Sequence, residues 1–275
     1  MNDTVKVYDQ AWGTALAAKI SLQIKAEVAQ WARIRKDPPL IPIVPGTSQY
    51  EDVVQSFRVI AGSPLRIKPS AKLAPIKISV AFQLAQQQFA DEAIAAQAAM
   101  QPAMDLAFIE DAIILQGPRA SEFFKDSPQI KDEDETLADQ EGLFSEPPTP
   151  IKEGKSIVES ILEGIKALND AQQHGPYCVV VSPDLHKEAM TPIPDSGIPQ
   201  IAPILPQLRG DGFRLSEVAP PRTGVIFSLG GGALDLPIPW DAHVEFRSVE
   251  GPAIFVVVEQ FRLRINNPRA VVTLS

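Results

Sequence analysis

Hydrophobic and polar positions follow two different periods along this chain. Over 11–34, Trp12, Leu16, Ile20, Ile24, Val28 and Trp31 recur every three or four residues, the repeat of a single apolar helix stripe. Such a stripe packs a core or lays an amphipathic arm on another surface. DPPLIPIVPG follows, and Pro38, Pro39, Pro42 and Pro45 predict an extended arm because they cannot continue a helix. From 57 to 82 the period falls to two. Ile76, Ile78, Val80 and Phe82 alternate with Lys77, Ser79 and Ala81, as in a half-buried strand. Phe57, Val59, Leu65 and Ile67 make a second extended run, and KPSAK (68–72) reads as the polar turn between the two. The pattern predicts a long protruding β-hairpin over 57–80. Its edges and apolar side chains need another chain to cover them.

A helix is expected over 83–116, with Leu106, Ile109 and Ile113 on one stripe and Met104, Phe108 and Leu115 on another, hence buried on two sides. Pro102 suits its first turn, and Gly117 followed by Pro118 stops it. A second amphipathic helix over 155–173 leads through Gly175-Pro176-Tyr177 into the strand Cys178 to Val181. Pro183 and Asp184 open a short helix, and a proline-rich loop (191–203) follows. Strands are expected near 224–229 and 240–246. The last run, 253–265, sets Phe261, Leu263 and Ile265 on one face and Arg262 and Arg264 on the other. Helices and strands alternate irregularly, which favours an α+β fold.

At 275 residues and 45% apolar, the chain can build one large domain or two modest ones. Its net charge of −9 argues against a nucleic-acid-binding surface, so no nucleic-acid partner is expected. A single cysteine excludes an internal disulfide and a cysteine-based zinc cluster. The opening MNDTVKVYDQ has no basic stretch before an apolar run, and the apolar run 253–258 falls far short of the roughly 20 residues a spanning helix needs. No membrane partner is expected, and the expected location is cytoplasmic.

Candidate chemistry is sparse. Cys178 lies four residues after His174, but it opens an apolar strand, where cysteine acts as a small hydrophobe. Ser182, Asp184 and His186 lack the distant segments and the nucleophile elbow that a triad needs. SLGGGALD (228–235) matches no phosphate-cradling loop and reads as a turn. Glu110 and Asp111 are adjacent on a helix and point in different directions. The acidic segment 131–150 has seven carboxylates without calcium-loop spacing and reads as a solvated surface loop. No catalytic residue, metal or cofactor is expected, and the chain is not expected to be an enzyme.

Three stretches together resemble a known family: IEDAIILQG (109–117), ILEGIKALNDAQQHGPYCVVVSPDLH (161–186) and FRLRINNPRAVVTLS (261–275), with EGLF (141–144) at a similar Gly-Leu turn. Their order and spacing over roughly 76–275 resemble the encapsulins, shell proteins with the tailed-phage major-capsid (Hong Kong 97-like) fold. That resemblance implies an N-terminal helix and arm (1–56), an extended-loop hairpin (57–80), a peripheral domain (81–154 and 234–275) and an axial domain (155–233). It implies a homo-oligomer closed into an icosahedral shell around a cargo enzyme, a ferritin-like iron oxidase or a dye-decolourising peroxidase, with roles in iron storage or oxidative stress. The cargo would dock through a C-terminal targeting peptide. By the same resemblance, Ile20, Ile24, Val28, Val244, Phe246 and Ile254 would line the docking groove, and Asp195, Ser196 and Gly197 a symmetry-axis pore. Phe57, Val59, Leu65, Ile67, Ile76 and Ile78 would form the inter-subunit extended loop. The first 55 or so residues depart from the family pattern. The alternative within this fold is a phage or prophage major capsid protein. A Cys- or Ser-dependent hydrolase and a non-assembling α+β binding module stand further off.

Overall fold

The computed structural model describes residues 14–36, 39–45, 54–59, 67–85, 88, 91–144, 147–249 and 253–274. The elements run α1 (Thr14–Trp31), β1 (Ile43–Pro45), β2 (Val54–Val59), β3 (Ile67–Leu73), β4 (Ile76–Leu84), α2 (Glu92–Gln116), β5 (Ile130–Asp132), α3 (Ile157–Asp170) and β6 (Tyr177–Val181). They continue with α4 (Pro183–Met190), β7 (Leu208–Leu215), β8 (Gly224–Ser228), β9 (Leu234–Ile238), β10 (Trp240–Val249), β11 (Ala253–Phe261), β12 (Arg264–Ile265) and β13 (Val271–Thr273).

Two hydrophobic cores organise these elements. The first lies under an antiparallel sheet of order β10-β11-β4-β5. The even-numbered residues of β4 pair with the odd-numbered ones of β11, so Val80, Phe82, Phe255 and Val257 share the face that α1 and α2 cover. Phe82 and Phe255 stack there at 5.6 Å. The second core lies between α3, α4 and the sheet β13-β8-β6-β7. Strand β6 serves both cores: Cys178 and Val180 point into the first, and Tyr177, Val179 and Val181 into the second. A strand covered on both faces reads as an unbroken apolar run, which is why CVVV shows no alternation.

Local chemistry sets the helix ends. Asp91 caps α2, accepting from the Ala93 and Ile94 amides at 2.9 and 3.3 Å, so the helix starts nine residues later than 83, and Gln83 and Leu84 finish β4. Pro102 lies inside α2 with its ring buried, not in the first turn. Gly117 ends the helix at φ +57, and a Cβ on Gly142 would meet the Gly117 amide nitrogen at 2.4 Å. This backbone-to-backbone approach explains both glycines. The expected second buried stripe of α2 holds at Leu115 but not at Phe108, which is exposed.

The hairpin exists, in a different register. β2 pairs with β3, Val54 opposite Leu73 and Val59 opposite Ile67, as a two-stranded sheet of its own. Phe57, Val59 and Ile67 therefore lie in it, KPSAK belongs to strand β3 and not to the turn, and Leu65 lies outside the described residues. Ile76 and Ile78 are corrected outright. They are fully buried in β4, opposite Phe261 and Glu259, and form part of the core sheet. Pure alternation could not tell an arm from a sheet strand whose second face is also covered.

Two further expectations change. The acidic segment is anchored: β5 pairs with β4, and Leu137, Leu143 and Phe144 are buried. The last strand breaks after Phe261, so Arg262 is buried. Its Nη1 donates to the Ala74 carbonyl at 2.5 Å and its Nη2 to that of Asp139. The GGG segment forms a 3-10 turn between β8 and β9, as a turn was expected there.

Candidate functional site

The inward stripe of α1, Ile20, Ile24 and Val28, is fully buried in the first core. This corrects their assignment as docking residues, because a peptide could reach them only by lifting the helix. Val244 and Phe246 face the same core, Phe246 half-buried with its ring 5.4 Å from that of Phe255. Ile254 precedes Phe255 on β11 and therefore points to the opposite face of the sheet. The six residues do not converge on one surface.

A different set does. α1 lies along β10, the edge strand of the first sheet, and the Val244 amide donates to Ser21 Oγ at 3.3 Å. This bond satisfies an edge donor that has no strand partner and fixes the helix against the strand. Beside it opens a groove of about 510 Å³ lined by Ala18, Ser21, Leu22, Lys25, Trp240, Asp241 and His243. Leu22 is 70% exposed there, and Trp240 39%. Trp240 meets the His243 ring edge-on at 5.7 Å. Lys25 Nζ lies 3.6 Å from Asp241 Oδ2. His243 Nδ1 is 2.9 Å from the Asp241 carbonyl oxygen, and its Nε2 is 3.3 Å from Glu245 Oε1. The groove thus offers an apolar strip flanked by paired charges, suited to an apolar peptide side chain beside polar backbone. The sequence signal was Leu22, an apolar residue off the stripe that Ile20, Ile24 and Val28 define.

A buried charge cluster holds the end of α1 in place. Arg35 reaches Glu110 on α2 at 3.1 Å, Asp241 at 3.2 Å and Glu259 on β11 in a short contact. Next to it, Asp111 accepts from the Arg33 and Ile34 amides at 2.7 and 3.1 Å. Burial pushes the Glu110 and Asp111 carboxyls up to about 7, and Glu259 well above the ordinary carboxylate range. The Arg35 guanidinium opposes this for Glu110 and Glu259.

The remaining residues have plain surroundings. Asp195, Ser196 and Gly197 form the exposed tip of a small hairpin closed by the bridge Pro192–Pro199, with Asp195 at φ +64 and Gly197 at φ +67. Met190, Ile193, Ile198 and Leu205 leave apolar surface exposed around it. Cys178 is buried, and burial pushes its thiol up to about 11. The His186 ring stacks on Phe213 at 5.3 Å, and burial lowers its basicity. No group of three or more metal-binding side chains occurs among the described residues, and no described helix is long and apolar enough to cross a membrane.

A long helix under an antiparallel sheet, a second α/β unit and a separate two-stranded hairpin define a capsid-type subunit of the Hong Kong 97-like fold. A virus-like particle from Pyrococcus furiosus matches over 94% of this chain and 98% of its own, with TM-score 0.68 and 15% identity. The capsid of Myoviridae phage XM1 matches over 88% and 91%, with TM-score 0.56 and 10% identity. Within that fold the family is specific. The Linocin_M18 model, described as an encapsulating protein for peroxidase, matches residues 61–261, and the chain belongs to this encapsulin family. The type 1 encapsulin shell protein EncA of Myxococcus xanthus is 33% identical over 120 residues. That match spans 42% of this chain and 41% of the relative.

Proposed function

We propose that copies of this chain close into an icosahedral, cytoplasmic shell that encloses a cargo enzyme of the ferritin-like or peroxidase class, the shell itself being non-catalytic. Family membership and the capsid-type fold support this reading. The observation that carries assembly is the β2–β3 hairpin, a two-stranded sheet that shares no strand with the other sheets. Isolated two-stranded sheets are marginal in water, so a neighbouring copy is the partner that stabilises it. The first core then belongs to a peripheral domain and the second to an axial one. The Asp195–Gly197 tip and its apolar surround sit at a symmetry-axis opening. The groove between α1 and β10 receives the C-terminal peptide of the cargo, with Leu22 and Trp240 as its apolar contacts.

The test is electron microscopy of the full chain co-expressed with a fluorescent protein carrying a candidate cargo's C-terminal peptide. Closed, loaded particles are expected. Leu22→Asp is expected to leave particles intact but empty of reporter. A chain that stays a 30 kDa monomer rejects the shell. Loaded Leu22→Asp particles reject the groove. Nuclease-sensitive contents would favour a genome-packaging capsid.

A further inference from the structure

At the far end of α1 from the groove lies a second, smaller cleft of about 220 Å³, between the end of α1, the middle of α2 and the 216–218 segment. Its walls include the rings of Trp31 and Phe108, each more than one-third exposed. Phe123 holds the Phe108 ring edge-on at 5.8 Å and 74°. Among the lining groups are the buried carboxylate of Asp111 and the hydroxyl of Ser216, a residue only 1% exposed. Ser216 Oγ makes no hydrogen bond among the described residues. A buried hydroxyl left without a partner costs roughly 1–3 kcal/mol, so its position in a cleft points to a polar guest. Asp105 and Glu217 add two carboxylates, against a single lining guanidinium, that of Arg33.

We propose that this cleft binds a small organic cation carrying N–H donors, a primary alkylammonium. Asp105 and Glu217, two carboxylates against one guanidinium, select a cation over an anion. Two aromatic walls favour an alkylammonium, whose charge is attracted to a ring face and whose methylenes bury against it. Ser216 Oγ and Asp111 can accept the N–H bonds. A hard metal ion fits poorly, because it takes six to eight oxygen ligands and an aromatic wall supplies none. The volume is below the ~300 Å³ at which drug-sized or nucleotide ligands begin to fit. The same chemistry is carried by a free diamine and by a lysine side chain of an enclosed protein.

The experiment is calorimetric titration of the full-length protein with 1,5-diaminopentane, with Nα-acetyl-lysine methylamide and with tetramethylammonium, at constant ionic strength. Saturable binding of at least one of the first two is expected, with tetramethylammonium at least tenfold weaker because it has no N–H. Saturation by the diamine marks a free-amine site, and saturation by the lysine derivative alone marks a side-chain site. Ser216→Ala and Phe108→Leu are each expected to weaken binding about tenfold. If either variant misfolds, Glu217→Gln, on an exposed side chain, is expected to weaken it several-fold. The proposal is overturned if neither amine saturates, if tetramethylammonium binds equally well, or if no folded variant changes the affinity.

Discussion

Replacing Arg35 by methionine tests the charge cluster that ties α1 to the rest of the subunit. Glu110 and Glu259 are both fully buried, and Arg35 is the cation both contact. Removing one partner of a buried ion pair costs ~3–5 kcal/mol, because the other charge stays behind without compensation. Here two carboxylates lose the same partner, so the upper end of that range is expected at pH 8. The loss should shrink at pH 5.5. Burial has already raised both carboxyls, and without the guanidinium they take up protons and become neutral. The double variant Arg35→Met with Glu259→Gln should regain a large part of the loss, since neutral groups of similar volume tolerate the site. Urea unfolding followed by tryptophan fluorescence at the two pH values measures all of this. A loss below ~1 kcal/mol, or one equal at both pH values, would refute the reasoning.

Asp111→Asn should flatten the pH dependence of stability. The folded-state carboxyl sits near 7 against an ordinary 3.8, so the folded chain holds a proton that the unfolded chain has released. Its favourable contribution is present at low pH and is lost as pH rises through about 7. The unfolding free energy should therefore fall less between pH 5 and pH 8 in the variant, after a constant loss of about 1 kcal/mol for one backbone hydrogen bond. Gly142→Ala should destabilise by at least ~2 kcal/mol in the same urea assay, because the new methyl meets the backbone of Gln116 and Gly117 at 2.4–2.6 Å and neither can yield cheaply. Cys178 should react with a maleimide only after unfolding, at a rate that follows the unfolded fraction. Rapid labelling of the folded protein would contradict its burial.

Much of this fold was legible because local periodicity and stop signals agree with the tertiary environment. The i, i+4 spacing of Ile20, Ile24 and Val28 predicted α1, and all three are core residues. Gly117 ends α2 as its place before a proline suggested. What was not legible depends on contacts distant in sequence. Ile76 and Ile78 alternate equally well in a hairpin arm and in a sheet, and only pairing with β11 decides between them. Lys68 to Lys72 looks like a turn by composition, yet it pairs with β2. The candidate groove was half legible. The resemblance pointed to α1 and late strands, but the apolar positions chosen were those that hold the helix down. The residues that stay exposed, Leu22 and Trp240, are single positions without a pattern. Arg35, Glu110 and Glu259 could not be paired from sequence, because they are 75 or more positions apart.

Asp241 joins the groove to this cluster. It accepts from Arg35 on one side and pairs with Lys25, a groove residue, on the other. The height of α1 over β10 is therefore set at two places, the Ser21–Val244 bond midway along the helix and the Arg35 cluster beyond its end. Of the two, the cluster carries buried charge, and it is the stronger constraint in a medium of low dielectric. Loosening it should alter peptide docking before it unfolds the subunit, since Leu22 and Lys25 move with the helix while Trp240 and Asp241 stay on the strand. Asp241→Asn separates these effects. It keeps an acceptor for Arg35, weakens the link to Lys25 and leaves Glu110 and Glu259 paired. Reporter loading should fall in this variant while the urea midpoint changes little. Equal loading in Asp241→Asn and the parent chain would show that the Lys25–Asp241 link does not govern docking.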